Sequence, residues 1–440
     1  MPTKQEGLEK LLDEYSRILT NDPGALEPTD PLYVKNLHGT GGEDVVLSMA
    51  RACERVEGSA LFYFTGQRGT GKSTELKRLA AHLSGRKTPS FLIDALEYIG
   101  DSHPIELIDL LLVMAIAFAD KLREDYQKKF LDESISTRIG KWLQTEVTLE
   151  EFSALGAKVT FREKRQSLIQ RIREFDLTRS ESFIKEAREL ITEMAQFVRR
   201  QSGCNRVVLI VDSLERLRGV GTQAGTMFDN VVRVFDGGID ALRINQLQVI
   251  YSVPPYLPFL TNVKNLVQVF SLASVRVYEP PKIAKRRPRE SGIASMRDIV
   301  KKRCPHWQEL LNEDALDKLI AASGGDVRQL LRRFLVDVFD QAYFALGELP
   351  LGLQSDILKN IHDRHRVDFE QMVVRDEYPL LKLIADQNAV EIQSRNDLPT
   401  VARFFDIRAV LGYRNGVDWI DLNPLLWDLI DQYAARPDKP

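Results

Sequence analysis

Apolar and polar residues alternate between two spacings over the first two-thirds of this chain. Residues 4–20 repeat at helical spacing, with Leu8, Leu11, Leu12, Tyr15, Ile18 and Leu19 on one face. Pro23, Pro28 and Pro31 break the chain after them, and residues 42–57 predict a second helix. Short apolar runs then predict strands at 61–65, 90–94 (SFLID), 206–212 (RVVLIVD), 246–252 (QLQVIYS) and roughly 266–278. Amphipathic stretches at 75–83, 104–126 and 225–244 separate several of them. Such alternation predicts a parallel sheet with helices on both faces. The unbroken aliphatic run of RVVLIVD suits a central strand buried on both sides. The most apolar stretch, 110–119, lies between Asp109 and Asp120 and is too short to span a bilayer, so it predicts a buried helix.

Elsewhere the pattern is helical. Residues 127–203 are charged, with weak breaks near Gly140, Gly156 and Thr178, and read as a helical insertion: a partner-binding lever or a solvated embellishment. Helices are predicted at 292–303, 308–322, 326–347, 376–387 and 398–405. Asn415-Gly416 between two alternating runs is a strong hairpin signal. Helix, helix, hairpin and helix resemble a winged-helix domain. The expected organisation is an N-terminal helical segment (1–40), a sheet domain (41–280), a basic linker with a helical lid (281–365) and a winged-helix-like domain (366–440).

The candidate chemistry begins at Gly66-Gln67-Arg68-Gly69-Thr70-Gly71-Lys72-Ser73, followed by Thr74. This is a G-x-x-x-x-G-K-S phosphate loop, placed between a strand and a helix. Its glycines permit backbone conformations that a Cβ would forbid. The loop N–H groups can then wrap a phosphate at a helix N-terminus, where the dipole favours an anion. In this motif the lysine, Lys72, reaches the β- and γ-phosphates and the Ser73 hydroxyl is placed to ligate Mg²⁺. The chain is therefore expected to bind ATP with Mg²⁺, and the fold class is an α/β P-loop NTPase sheet followed by the lid and the winged-helix-like domain.

Asp212 ends the third strand, at the edge where open α/β sheets bind ligands. It is the expected second carboxylate at Mg²⁺. Glu215 follows three residues later, either as the general base for an attacking water or as a cap of the next helix. Ser252 ends the fourth strand, where it either touches the γ-phosphate or the water, or merely precedes the Pro254-Pro255 turn. In Ser323-Gly324-Gly325-Asp326-Val327-Arg328 the glycines end one helix and Asp326 caps the next. Arg328 in the first turn either points back at the phosphates or is a surface residue.

Composition changes little in this picture. The chain has 440 residues, 44% hydrophobic and 28% charged, with a net charge of −3 that gives no global basic signature for nucleic acid. A local one exists: Lys282, Lys285, Arg286, Arg287 and Arg289 cluster among prolines, either to meet DNA phosphates or as a solvated hinge. Cys53, Cys204 and Cys304 form no C-x-x-C, which points to neither a disulfide framework nor a zinc site, and suits a cytoplasmic protein. His362 and His365, three apart with no further ligand nearby, are expected at the surface. No membrane association is expected.

The phosphate loop, the Asp212 strand and residues 295–334 (SMRDIVKKRCPHWQELLNEDALDKLIAASGGDVRQLLRRF) together resemble an AAA+ ATPase of the origin-recognition, initiator-loader type. That resemblance implies ATP hydrolysis, nucleotide-dependent homo-oligomerisation, a sensor-2 role for Arg328 and a sensor-1 role for Ser252. It also implies a client, DNA or protein, reached through the basic linker and the winged helix. Three features depart from it. Ser213 and Leu214 separate Asp212 from Glu215, a D-x-L-E-R spacing that resembles signalling ATPases of the STAND class. No arginine lies in 254–274 to serve as a finger, leaving Arg233, Arg243, Arg276 or none. The stretch 127–203 has no counterpart in the minimal fold. The alternative is thus a STAND-like signalling or phage-defence NTPase working through a separate effector protein.

Overall fold

A computed structural model of the chain describes residues 4–21, 24–35, 37–38, 44–98, 105–131, 134, 138, 180–214, 224–281, 286–391 and 394–434. The chain divides into two compact units, one of residues 46–65 and 75–270, the other of 1–45, 66–74 and 271–440.

The first unit is built on a five-stranded sheet of order β2-β3-β4-β1-β5. The strands are β1 (Ala60–Gly66), β2 (Ser90–Asp94), β3 (Val208–Asp212), β4 (Gln248–Val253) and β5 (Gln268–Leu272). β2 pairs with β3, β3 with β4 and β4 with β1, all in parallel. Every residue of β1, β3 and β4 is buried, so the apolar runs are continuous rather than alternating. Tyr63, Phe235 and Tyr251 pack edge to face in the interior, and the Tyr63 hydroxyl donates to the Phe235 carbonyl at 2.6 Å.

Helix Leu107–Tyr126 is buried without interruption from Asp109 to Ala119, as its all-round apolar sequence predicts. Helix Ser180–Ser202 packs along it, with Phe197 against Tyr126 and against Phe130, each at 5.3 Å between ring centroids. The end of the stretch read as an insertion is thus a core helix; the rest of 127–203 lies almost wholly outside the described residues. The helix expected over 225–244 forms in pieces, Ala224–Val232, Arg233–Gly237 and Ile239–Leu242.

The second unit gathers the chain's two ends around the lid helices. Helix Lys4–Thr20 packs its apolar face on helix Val336–Ala342, where Tyr15 meets Phe339. The Tyr15 hydroxyl accepts from the His306 amide at 2.8 Å. The lid contains helices Glu290–Arg303 and Glu313–Ala322, then a helical run from Val327 whose centre, Leu330–Leu335, is π-helical. The second helix starts later than its periodicity predicts because residues 310–312 pair with Leu351 instead.

Helix Asp356–Met372, which the sequence pattern did not suggest, runs on across residues 365 and 366. His365 on it is buried, edge-on to Phe334, with Nε2 2.7 Å from the Asp337 carboxylate. The expectation of a surface histidine is corrected: its apolar neighbours on the helix face carry it into the core. Helices Tyr378–Gln387 and Leu398–Asp406 precede an antiparallel hairpin of β6 (Val410–Arg414) and β7 (Asp418–Leu422), turning at Asn415-Gly416 as expected, and helix Trp427–Ala434 follows.

The fifth strand is shorter than 266–278. Beyond Leu272 the backbone turns to new partners, Ser274 N donating to Gly412 O at 2.9 Å and Val275 N to Gly325 O at 3.2 Å. Among the described residues no helix is long and apolar enough to cross a membrane.

Candidate nucleotide-binding site

The loop 66–74 follows β1 directly and opens helix Lys72–Gly85. Gly69 and Gly71 have φ of +93° and +91°, conformations that suit glycine. The Thr70 hydroxyl donates to Gln67 O at 2.8 Å and closes the turn. Lys72 is buried, and its Nζ donates to Gly66 O at 2.7 Å and Gln67 O at 3.0 Å, so the ammonium lies across the loop's own carbonyls. Ser73 stands in the first turn of the helix. The Thr74 hydroxyl accepts from Leu26 N at 3.0 Å, which links the loop to the N-terminal arm.

The lid reaches the same loop. Asp326 caps the Arg328 turn by accepting from Gln329 N at 3.0 Å, and its other oxygen accepts from Arg408 at 3.0 Å. Gly325, at φ +82°, lies so close to Val275 that a Cβ there would stand 1.8 Å from the valine carbonyl oxygen. With that approach fixed, the stem of Arg328 lies over Gly69.

The hairpin reaches it too. The buried Gln67 side chain donates through Nε2 to Val410 O and accepts through Oε1 from the Ser274 hydroxyl at 3.2 Å.

In the sheet unit, Asp212 ends β3 beside Asp94 at the end of β2, the two being register partners. Asp94 accepts from Leu96 N at 3.0 Å and so caps the turn after its own strand. Ser213 follows Asp212 at φ +71°, an uncommon conformation for a residue with a Cβ. The next residue, Leu214, donates its N–H to the Ser252 hydroxyl at 3.2 Å. Ser252 is fully buried, and through this bond it ties β4 to the turn that follows Asp212.

Glu215, Lys282 and Lys285 lie outside the described residues. Of the remaining basic linker, Arg286 pairs with Asp431 at 2.5 Å and stands over the Trp427 ring, while Arg289 lies 3.4 Å from Glu279. Arg287 is exposed. Asp326 caps the Arg328 turn as the sequence suggests. Sequence reading missed the side-chain role of Gln67, because the motif asks nothing of that position, and it missed Ser274 as a support of the loop and Arg408 as the partner of Asp326.

The parallel sheet with its strand–loop–helix places this chain in the α/β P-loop NTPase fold class. No protein-family model matches it, and no curated protein does. Among solved structures it is similar to the Walker-type ATPase of Pyrococcus abyssi, at 13% identity over 88% of this chain and 95% of that one, with a TM-score of 0.38. It is also similar to the ORC2 protein of Aeropyrum pernix in ADPNP–ADP complexes, at 10% identity over 96% and 98% of the two chains, with a TM-score of 0.40. Both likenesses are distant.

Proposed function

We propose that this chain binds ATP with Mg²⁺ at the 66–74 loop, hydrolyses it, and uses the cycle as a molecular switch. The observation that carries the reading is the loop itself: a complete phosphate-loop motif on a buried parallel strand, with its glycines at positive φ and Lys72 held inside it. The loop N–H groups and Lys72 bind the phosphates, and Ser73 and Asp212 are assigned to the metal. Mg²⁺ supplies neutralisation of the phosphate charge. Glu215 is assigned as the base that orients water, with Ser252 holding the turn before it, and Arg328 as the lid residue that senses the terminal phosphate.

The lid and hairpin relay the nucleotide state to a client, through self-association. Two clients fit, DNA and protein. The candidate DNA contacts are the linker residues Lys282, Lys285, Arg286, Arg287 and Arg289, of which Arg286 and Arg289 have carboxylate partners. The STAND-like alternative, a nucleotide-gated signal to a separate effector, draws support from one observation: the C-terminal hairpin is bonded directly to the phosphate loop through Gln67.

The test is steady-state ATP hydrolysis with and without duplex DNA, against Lys72→Ala. Stimulation that disappears when Lys285 and Arg287 are neutralised supports a DNA-coupled switch. Turnover indifferent to DNA assigns the client to protein. Hydrolysis no greater than that of Lys72→Ala sinks the ATPase assignment.

A further inference from the structure

We propose that Gln67 is a positioning residue whose carboxamide ties the phosphate loop to strand β6, so that nucleotide at the loop is read out in the C-terminal hairpin. The inference rests on the ATP-binding reading above and deepens it by naming the connection.

The chemistry of the motif does not require this glutamine. In a G-x-x-x-x-G-K-S loop the variable positions offer their backbone N–H groups to phosphate, and their side chains are free to vary. Here the side chain is 4% exposed, and both ends of its amide are engaged away from the phosphate-facing backbone. Nε2 donates to the carbonyl of Val410. Oε1 accepts from the hydroxyl of Ser274. Ser274 in turn donates its own N–H to Gly412 O at 2.9 Å. Two carbonyls of β6 are therefore held by two residues that are bonded to each other, which closes a ring from the loop to the strand and back.

The same strand is anchored to the lid. The Tyr413 hydroxyl donates to Gly324 O at 2.6 Å, just before the turn that carries Arg328. Arg408, ahead of β6, pairs with Asp326, the cap of that turn. Asn423, past the end of β7, donates to Gln329 at 3.0 Å. Strand β6 thus bridges the two parts of the unit assigned to the phosphates, the loop and the Arg328 turn. Val410 and Ser274 are both buried, so an apolar residue at 67 strands a carbonyl and a hydroxyl away from water, a cost a surface glutamine would not carry. A ligand shifts a conformational equilibrium only through differential contacts with its two states. The ring supplies such a contact, because backbone movement at Gln67 changes the geometry of a bond to β6.

The test is hydrogen–deuterium exchange of the full chain, with and without saturating ADP or a non-hydrolysable ATP analogue, read on peptides covering 408–416. Site occupancy is followed in parallel with a fluorescent nucleotide. In the wild type, nucleotide is expected to change exchange in this segment by roughly fivefold, the scale of one hydrogen bond. Ser274→Ala, which leaves the phosphate-binding backbone intact, is expected to cut that change to less than half at full occupancy. Gln67→Leu is expected to abolish it. Tyr413→Phe, which spares the loop side of the ring, is expected to keep it.

If Ser274→Ala responds as the wild type does, at equal occupancy, the inference is overturned whether or not Gln67→Leu folds. If the wild type takes up no more nucleotide than Lys72→Ala, the ATP-binding reading fails first and this connection falls with it. The two failures are told apart by the occupancy signal alone.

Discussion

Gly69 of the phosphate loop and Arg328 of the lid pack so closely that a Cβ on the glycine would lie 2.7 Å from the Cβ of the arginine. Real Cβ atoms do not approach so near, and φ of +93° at Gly69 adds backbone strain to any substitution. Gly69→Ala must therefore displace either the loop or the Arg328 turn. The expected outcome is a loss of ATP affinity of tenfold or more, on the order of 1.4 kcal/mol, with the protein still folded. Arg328→Ala should instead leave ADP affinity nearly unchanged and lower turnover. Titration with both nucleotides separates the two variants.

The turn after Asp212 offers a second test. Ser213 is buried at φ +71°, where a glycine would relieve about 1 kcal/mol of strain. Ser213→Gly is expected to raise or preserve the melting temperature while lowering turnover, because the turn that leads to Glu215 loses its fixed geometry. A variant that is both more stable and equally active would show that the left-handed serine has no part in the chemistry.

Asp212→Asn keeps the shape of a buried side chain at the end of β3 and removes its charge. Turnover is expected to fall by about a hundredfold or more, the scale of losing one preorganised electrostatic contact. Far-ultraviolet circular dichroism should match the wild type. Unchanged turnover would reassign the metal carboxylate, with Asp94, its register partner on β2, as the next candidate.

The buried His365 predicts a pH effect. Burial lowers its pKa below the ordinary histidine value, the Asp337 carboxylate opposes that shift, and Arg333 and Arg364 reinforce it. The folded protein therefore favours the neutral imidazole, whereas the unfolded chain takes up a proton near pH 6.5. Below that pH the unfolded state binds more protons, so the contribution of His365 is fully present above it and is lost as the pH falls. The melting temperature should drop between pH 7.5 and pH 5.5, and by less in His365→Gln. Equal drops in the two proteins would contradict this.

Much of this was legible in the sequence because the responsible signals are local. The aliphatic run of β3, the unbroken burial of Asp109–Ala119 and the Asn415-Gly416 turn each follow from adjacent residues and need no distant partner. What escaped depends on contacts far apart in the chain. Residues 273–278 have the composition of a strand, yet the amides of Ser274 and Val275 go to Gly412 and Gly325, partners far along the chain. Gln67 sits at a motif position that tolerates any side chain, so nothing in its neighbourhood announces its bond to Val410. His365 was expected at the surface because no further ligand stands near it in the sequence, while Phe334 and Asp337 receive it in space.

The most direct measurement is equilibrium binding of Mg·ATP by calorimetry to the wild type and to Lys72→Ala. The account predicts saturable binding to the wild type at one site, weakened by roughly tenfold to a hundredfold in the variant, the worth of a charged hydrogen bond to phosphate. Equal binding by the two proteins, or none by the wild type, would contradict it.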